Sequence, residues 1–289
     1  MLANSRVERV LSEAMSEVER PGCPPGLISA VRYAVFPGGA RIRPRLCLAV
    51  AEACGEDHPV LAEAAAAAIE FLHCASLVHD DLPCFDDAEL RRGKLSVHRA
   101  YDERMAVLAG DALIVLAFQT LGFAAAAAPS RAAALYGIVA RGVGMPFGIV
   151  SGQAWECEPA ANVANYHRAK TGALFAAATV AGAAATGAHA PGWRLLGERL
   201  GEAYQVADDI QDVAGKAEDL GKPIGQDEAL GRPSAVAELG LDGAVLRLRT
   251  LVAEAIAAIP DCPGAAGLRA HILSESGRLL PKELSKRAA

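Results

Sequence analysis

Apolar residues recur in this chain at the spacing of a helix along most of its length. They follow a 3.6-residue period or form near-continuous runs, and nowhere do they alternate steadily with polar residues. Hydrophobic residues make up 52% of the sequence but aromatic ones only 5%, and alanine, the strongest helix former, dominates the apolar content. We therefore expect an all-α protein without a β-sheet. The predicted helices cover residues 41–54, 60–82, 104–126, 162–188, 193–215 and 243–259.

Proline and glycine divide the sequence into pieces of helical length, and no Ser/Gly-rich or Pro-rich linker separates two halves. We therefore expect one domain over residues 1–289. Residues 171–188 carry no charge. Because alanine and glycine gain little on transfer into a bilayer, this run predicts a buried helix and no transmembrane segment.

Charge and cysteine content narrow the class of protein. The net charge is -6, and no basic run is interleaved with aromatic residues, so the sequence does not predict a nucleic-acid partner. The 7 cysteines are scattered and include no CxxC pair. This usage predicts reduced thiols and a cytoplasmic protein.

Two aspartate clusters lie far apart in the chain, each next to an apolar helical segment. The first, in HDDLPCFDDAELRRGK, includes Asp80 and Asp86, and the second, in YQVADDIQDV, includes Asp208 and Asp212. Converging carboxylates repel one another unless hard cations lie between them. The basic residues that end the first segment offer donors to phosphate oxygens. The sequence therefore predicts magnesium and a diphosphate at one place.

The first cluster begins at the end of a predicted helix. Pro83 lies between Asp80 and Asp86, so we expect the helix to end there and Asp86 to come from the following turn. His73 lies two helical turns before Asp80 on nearly the same face, roughly 10 Å deeper. A second ligand would suit the position of His73, and a core histidine is the alternative. For Asp86 the alternative is a solvated acidic loop.

The second cluster keeps helical register. Gln205, Asp208 and Asp212 occupy positions i, i+3 and i+7, which form one stripe of a helix. An exposed charged stripe is the alternative, but the surrounding positions are apolar. Buried carboxylates without a metal or a partner are costly, so the stripe favours a metal site.

Two shorter motifs predict anion binding. The segment GGARIRP places a glycine turn before a helix that begins with Arg41 and Arg43. Cations at a helix start oppose the helix dipole, so we expect both arginines to serve a ligand. Lys170 and Thr171 place one cation and one hydroxyl at the start of the uncharged helix.

Taken in order, these segments resemble the trans-type isoprenyl diphosphate synthases over nearly the whole chain. LVHDDLPCFDDAELRRGK is similar to the family's first aspartate-rich motif, and YQVADDIQDV with GKPIGQD is similar to the second. The segments HCASLVHDDLPCFDDAE and SGQAWECE are most similar to those of carotenoid-pathway geranylgeranyl synthases of photosynthetic bacteria. The resemblance implies an all-α bundle around a deep central cavity and a homodimer. The implied substrates are isopentenyl diphosphate and an allylic diphosphate.

The resemblance also implies roles for individual residues. Three magnesium ions would bridge the allylic diphosphate to metal positions at Asp80, Asp86, Asp208 and Asp212. The allylic diphosphate would be held by Arg91, Lys170 and Lys222, and isopentenyl diphosphate by Arg43, His73 and Arg92. The allylic cation would be stabilised by the Thr171 hydroxyl, Gln205 and the Lys170 carbonyl.

This sequence departs from the family pattern at three positions. Ala40 replaces the lysine of GGKRxRP, which predicts weaker binding of isopentenyl diphosphate unless Arg41 or Arg45 substitutes. Arg232 stands where the family has a lysine after the second motif, and it keeps the charge. Glu156 supplies the acid of the family's GQxxD segment.

Product length in the family depends on side chains below the first motif. Ala75 and Ser76 are small, whereas farnesyl synthases of this bacterial type carry an aromatic residue at the earlier position. Phe71 lies deeper and is a candidate for the floor of the tunnel. The resemblance therefore favours geranylgeranyl diphosphate (C20).

Other functions stay open at this point. A farnesyl diphosphate synthase (C15) and a catalytically silent partner subunit share the motifs. A terpene cyclase needs no second-substrate arginines and usually has an aromatic-rich cavity. A di-iron carboxylate bundle requires two ExxH motifs, and this sequence supplies only the one that ends at His73.

Overall fold

The computed structural model describes residues 2–36, 38–158, 168–214 and 234–278. In these ranges the chain is almost wholly helical, which confirms the predicted fold class. The α-helices are Leu2–Val18, Pro25–Val35, Ile42–Ala53, Pro59–Asp80, Val97–Ala100, Glu103–Ala124, Pro129–Val143, Ile149–Trp155, Ala173–Ala185, Arg194–Ala214, Ala235–Ala257 and Ala265–Ser276. A π-helical turn covers Arg168–Gly172, and a 3₁₀ turn covers Ala190–Trp193.

Local chemistry explains several helix starts. Proline occupies the first position at Pro25, Pro59 and Pro129, where its missing N–H has no helical partner to lose. The Asp102 carboxylate caps Glu103–Ala124 by accepting a hydrogen bond from the Met105 N–H at 2.7 Å. The prolines and caps that divide the sequence therefore set where these helices begin.

The helix predicted at residues 243–259 begins earlier than expected, at Ala235. Gly240 has a φ of 70° and kinks this helix. The kink interrupts the apolar period, so only the part beyond it showed a helical pattern in the sequence.

The expectation of no sheet is wrong in one small place. Leu90–Arg91 pairs with Lys94–Leu95 as an antiparallel hairpin. Arg92 and Gly93 form its turn, and both have positive φ, as a tight two-residue hairpin turn requires. Strands of two residues are too short to show an alternating pattern, which is why the sequence did not predict them.

The core is one contiguous cluster that reaches from Leu11 in the first helix to Leu268 in the last described one. Every residue from Leu174 to Ala185 is buried, so the uncharged run is a core helix, as predicted. We name Pro59–Asp80 the first acidic helix, Arg194–Ala214 the second acidic helix, and Ala173–Ala185 the alanine helix. The alanine helix packs against both acidic helices. The assignment of residues 1–289 to one domain stays a prediction.

Two described helices are long and apolar enough to cross a membrane, judged by length and composition alone. They are the first acidic helix and Glu103–Ala124, whose apolar windows are 72% and 44% buried inside the protein. Core helices pass the same test, and the first acidic helix is a core helix. The helix Glu103–Ala124 leaves an apolar face exposed.

Candidate active site

The first acidic helix ends at Asp80, and the chain then folds back on it. The Asp86 N–H donates to the Asp80 carbonyl at 3.0 Å, so the turn brings the two residues together. Asp80 is buried and Asp86 is exposed. The predicted helix end, and the place of Asp86 in the turn, are therefore confirmed.

Both oxygens of the Asp80 carboxylate have partners from other elements. Gln153 Nε2 donates to Oδ1 at 3.0 Å, and Lys170 Nζ lies 3.5 Å from Oδ2. Burial raises the pKa of Asp80, Lys170 and Gln153 oppose the shift, and the nearby Glu156 and Asp86 add to it. A charged carboxylate that is costly to bury is a good ligand for an incoming cation.

Asp81 is turned away from this arrangement. Its side chain is buried, and it accepts a hydrogen bond from Arg91 Nε at 3.0 Å. Burial raises the pKa of Asp81, while Arg91 opposes the shift. Arg91 therefore has an internal partner, and its role in holding the allylic diphosphate stays a prediction.

We name the π-helical turn Arg168–Gly172 the Lys-Thr-Gly turn. Its side chains contact residues of both acidic helices. Lys170 Nζ pairs with Glu156 Oε1 at 2.7 Å in addition to Asp80. The Thr171 hydroxyl donates to Gln205 Oε1, on the second acidic helix, at 2.9 Å. π-Helical turns are frequent at functional sites.

Two glycines allow the Lys-Thr-Gly turn to pack this closely. A Cβ added to Gly152 would lie 2.5 Å from the Lys170 Cα, and one added to Gly201 would lie 2.7 Å from the Gly172 Cα. Either contact would force the turn to move. The positions of Lys170 and Thr171 are thus fixed from opposite sides by backbone packing.

The second acidic helix carries its acids in one register, as predicted. Gln205, Asp208 and Asp212 share a stripe, with Asp208 half-buried and Asp212 buried. Asp209 points elsewhere and is 2% exposed. Its Oδ1 accepts a hydrogen bond from Gln205 Nε2 at 3.0 Å, and its Oδ2 accepts one from the Ala235 N–H at 2.7 Å.

The predicted metal positions fit a hard cation by the chemistry of their donors. Within the ranges that the structure describes, no three His, Cys, Asp or Glu side chains converge closely enough to hold an ion by themselves. Magnesium is commonly held by one or two carboxylates plus substrate phosphates and water. Asp80 and Asp86 on one wall, and Asp208 and Asp212 on the other, supply that kind of partial set.

The three residues predicted to hold isopentenyl diphosphate lie together. Arg43 Nη1 is 3.4 Å from His73 Nε2, and the Arg43 guanidinium lies over the Phe175 ring at 4.6 Å from its centroid. Burial lowers the pKa of His73 well below its usual range, and the charges of Arg43 and Arg92 lower it further. A neutral histidine among buried cations leaves a positive site for an anion.

Arg92 is held beside this site by the glycine turn. A Cβ on Gly39 would lie 2.9 Å from Arg92 Nε, so the guanidinium rests directly on the glycine backbone. Arg43 Nε is buried without a hydrogen-bond partner in the structure. The Arg43 Nε–H is therefore a donor that a bound anion could use.

Comparison with known proteins agrees with this geometry. A model of the polyprenyl synthetase family matches residues 24–262. The chain belongs to this family.

Relatives and solved structures of the family cover almost the whole chain. The geranylgeranyl diphosphate synthase of Cereibacter sphaeroides is 53% identical over 287 residues, 99% of this chain and 100% of that protein. The enzyme of the same name from Rhodobacter capsulatus is 51% identical over 93% of each chain. A crystal structure of the Helicobacter pylori geranyltransferase with magnesium and isoprenyl diphosphate has a TM-score of 0.81 and 31% identity, covering 96% of this chain and 97% of that chain.

One expectation about arginines needs correction. The position of Arg41 at a helix start predicts that it serves a ligand, and Arg41 is one of two candidates, with Arg45, to substitute for the family lysine missing at Ala40. It is instead 3% exposed and forms an ion pair with Glu70 at 2.6 Å and another with Glu8 at 2.7 Å. The buried guanidinium is thus held by one buried and one partly exposed carboxylate, so only Arg45 remains as a substitute.

Arg45 lines a cavity next to the second acidic helix. The cavity has a volume of about 440 Å³ and also contains Ala40 and Asp208 in its wall. The Arg45 side chain pairs with Glu275 at 2.8 Å, and its Nε is buried without a hydrogen-bond partner in the structure. Ala40 and Arg45 thus line the same cavity, so a cation is present near the position where the family lysine is missing.

The chain-length residues lie within the first acidic helix, away from that cavity. Phe71 and Ala75 are buried, at 0% and 2% exposed, and the Ser76 hydroxyl donates to the His73 carbonyl at 2.8 Å. Their role in setting product length stays a prediction. Lys222 and Arg232 lie outside the described residues.

Several site contacts join residues that are far apart in the sequence. Gln153 reaches Asp80 from 73 residues away, and Asp209 accepts from a backbone N–H 26 residues away. The family segment GQxxD was the one available clue to the first contact. In this chain Gly152 makes room for the Lys-Thr-Gly turn, Gln153 binds Asp80, and Glu156 binds Lys170.

Proposed function

We propose that this chain is a trans-prenyltransferase that condenses isopentenyl diphosphate with an allylic diphosphate to make geranylgeranyl diphosphate. The observation that carries the proposal is the Lys-Thr-Gly turn. Its lysine contacts Asp80 on the first acidic helix, and its threonine contacts Gln205 on the second. Groups that can bind a diphosphate and groups that can stabilise a cation therefore meet at one point.

The residues divide the substrates between them. Lys170 and Arg91, with Lys222, would hold the allylic diphosphate, and Arg43, His73 and Arg92 would hold isopentenyl diphosphate. Asp80, Asp86, Asp208 and Asp212 would hold magnesium, three ions per site by family resemblance. Bound magnesium would neutralise charge on the departing diphosphate.

The reaction then needs a site that tolerates a carbocation. Ionisation of the C1–oxygen bond leaves an allylic cation, which the Thr171 hydroxyl, the Gln205 amide and the Lys170 carbonyl would stabilise through their oxygen atoms. The buried alanine helix excludes water from the reacting carbons. The isopentenyl double bond attacks C1, and the departing diphosphate takes the proton that is lost.

A product assay tests this function. The chain is incubated with isopentenyl diphosphate and each of the C5, C10 and C15 allylic diphosphates, with and without magnesium, and the dephosphorylated products are separated by chromatography. We expect a C20 alcohol with each starter and no product without magnesium. A dominant C15 alcohol would make the chain a farnesyl synthase, and no product from the pure chain would support the silent-subunit alternative.

The product length is proposed to depend on Ala75 and Ser76, which are small, with Phe71 as the floor below them. Replacing Ala75 by tyrosine places a ring where the growing tail must pass. We expect Ala75→Tyr to shift the main product from C20 to C15 in the same assay. A variant that makes C20 as efficiently as the parent would show that this gate is wrongly assigned.

We also propose that the chain is a homodimer. The helix Glu103–Ala124 exposes Leu108 at 52% and Val115 at 55%, seven positions apart on one face. Light scattering after size exclusion should give twice the chain mass of 29.9 kDa. Leu108→Glu should shift the mass toward the monomer, and an unchanged dimer would place the interface elsewhere.

A cytoplasmic location and a role in carotenoid and other isoprenoid biosynthesis complete the proposal. All seven cysteines are free, and Cys84 and Cys157 are exposed thiols, which suits a reducing compartment. Fractionation of the source cells and analysis of carotenoids after deletion of the gene test these two points.

A further inference from the structure

A line of hydrogen bonds runs from the Lys-Thr-Gly turn through the second acidic helix to the helix Ala235–Ala257. The Thr171 hydroxyl donates to Gln205 Oε1 at 2.9 Å, and Gln205 Nε2 donates to Asp209 Oδ1 at 3.0 Å. The other Asp209 oxygen accepts from the Ala235 N–H at 2.7 Å. Asp209 is 2% exposed, and all three bonds are at least partly buried.

The chemistry of each group fixes the direction of every bond in this line. A backbone N–H only donates and a carboxylate only accepts, so the end of Gln205 that faces Asp209 must be its NH₂ group. The amide oxygen then faces Thr171, and the hydroxyl has to donate its proton to that oxygen. The lone pairs of the Thr171 oxygen are left for another group.

Hydroxyl direction matters for the proposed reaction. A carbocation is stabilised by the lone pairs of an oxygen and is repelled by the positive end of an O–H bond. If the Gln205 amide were turned over, its NH₂ group would face Thr171. The hydroxyl would then accept from the amide, and its proton would point elsewhere.

We propose that Asp209 is a positioning residue that sets the direction of the Gln205 amide and thereby presents the Thr171 lone pairs to the allylic cation. This inference rests on the proposed function. It gives Asp209 a role different from that of Asp208 and Asp212, which are the candidate metal positions of the same motif.

The start of the helix Ala235–Ala257 holds Asp209 in place. Ala235 is the first residue of this helix, where N–H groups lack partners within the helix and the helix dipole favours a negative charge. The Asp209 side chain is therefore fixed from one side by the helix, which leaves its second oxygen directed at Gln205.

Asp209→Asn tests the proposal because it keeps the shape but removes the acceptor-only character. An asparagine NH₂ group can face Gln205, which releases the amide to turn over. We expect kcat to fall about tenfold, the effect of one well-placed hydrogen bond, with the KM of both substrates changed less than about twofold. Asp208→Asn is the matched control, since it alters a proposed metal position.

Binding of magnesium pyrophosphate, measured by titration calorimetry, separates the two roles without any turnover. Asp209→Asn should bind this probe as the wild type does, whereas Asp208→Asn should bind it at least about tenfold more weakly. Equal weakening in both variants would make Asp209 a metal residue and overturn the proposal.

A double-mutant cycle tests the connection to the hydroxyl. In a Thr171→Val background, Asp209→Asn should cause little further loss of kcat, because there is no hydroxyl left to direct. In a Thr171→Ser background, which keeps the hydroxyl, the tenfold loss should remain. Losses that multiply independently in the valine background would contradict the coupling.

The start of the helix Ala235–Ala257 can be weakened without touching Gln205. The Ser234 hydroxyl oxygen caps this helix by accepting from the Ala237 N–H at 3.1 Å. Ser234→Ala should lower the melting temperature but leave kcat unchanged. A similar fall of kcat in Ser234→Ala would show that helix stability, not amide direction, explains Asp209→Asn. A wild type without prenyl product contradicts the proposed function, whereas an active wild type with independent losses contradicts only this inference.

Discussion

Each aspartate motif begins with an Asp-Asp pair, Asp80-Asp81 in the first and Asp208-Asp209 in the second, and these two pairs are arranged in the same way. Asp80 and Asp208 lie on the candidate metal site, while Asp81 and Asp209 are both 2% exposed and bound to internal donors. Neighbouring residues of a helix point about 100° apart, so the members of a pair cannot face the same ligand. One aspartate of each pair is thus a candidate for the site, and the other anchors the helix that carries it.

The anchors differ in kind, and the difference follows from their positions. Asp81 comes just past the end of its helix and binds the guanidinium of Arg91 in the hairpin that follows. Asp209 lies inside a continuous helix and binds an amide and a backbone N–H. The end of the first acidic helix is therefore held by a side-chain ion pair, and the second acidic helix by an amide and the start of a neighbouring helix.

Alanine at the site position of each pair is the most severe test of this division. Asp80→Ala and Asp208→Ala each remove a proposed metal ligand, and we expect kcat/KM for the allylic substrate to fall by about 10³-fold or more. Steady-state assays at saturating magnesium provide the measurement. Near-normal activity in either variant would remove that wall from the metal site.

A buried ion pair outside both motifs tests whether an anchoring contact affects stability. Arg41 and Glu70 are 3% and 2% exposed, so Glu70→Ala leaves the buried guanidinium with Glu8, which is partly exposed, as its other carboxylate partner. We expect a loss of about 3–5 kcal/mol in the free energy of unfolding, measured by urea denaturation. Glu8→Ala, whose carboxylate is partly exposed, should cost about 1 kcal/mol or less.

Neutralising a site aspartate should stabilise the metal-free protein. Burial raises the pKa of Asp80, so the folded state favours the protonated form, and the charged form at neutral pH lowers stability. Asp80→Asn should raise the free energy of unfolding at pH 7 in EDTA by up to about 2 kcal/mol. The gain should shrink as the pH falls, because the raised pKa lets the folded protein take up a proton at Asp80 before an ordinary aspartate would.

The exposed Asp86 provides the control for that measurement. Asp86→Asn should change the free energy of unfolding by less than about 0.5 kcal/mol under the same conditions. If Asp80→Asn is less stable than the wild type at pH 7, its contacts with Lys170 and Gln153 outweigh the cost of burial.

The smallest expected effect concerns the second substrate. Ala40→Lys restores the family lysine beside Arg45, and one added charge contact should lower the KM for isopentenyl diphosphate about fivefold without changing kcat. Arg45→Gln should raise the same KM in the wild type but less in Ala40→Lys. An unchanged KM in both backgrounds would exclude Arg45 from substrate binding.

The sequence predicted the features that neighbouring residues determine. The period of apolar residues predicted the long helices, and Pro83 predicted that Asp86 lies in a turn. Helical register predicted that Gln205, Asp208 and Asp212 share one stripe. The cluster of Arg43, His73 and Arg92 was expected from family resemblance.

Contacts between distant residues were not predictable in this way. Arg41 and Arg43 are two residues apart, yet one is bound to Glu8 and Glu70 in the core and the other lies at the site. Nothing near them in the sequence distinguishes the two, because the deciding partners are 33 and 29 residues away. The hydrogen bonds of Asp209 escaped notice for the same reason.

The close packing of Gly152 and Gly201 around the Lys-Thr-Gly turn has a consequence for how the enzyme can diversify. No side chain larger than hydrogen fits at either glycine without displacing the turn. We therefore expect new specificities to arise where side-chain volume can change without moving this turn, as along the deeper part of the first acidic helix. On that expectation, the length of the product changes more readily in evolution than the bond that is formed.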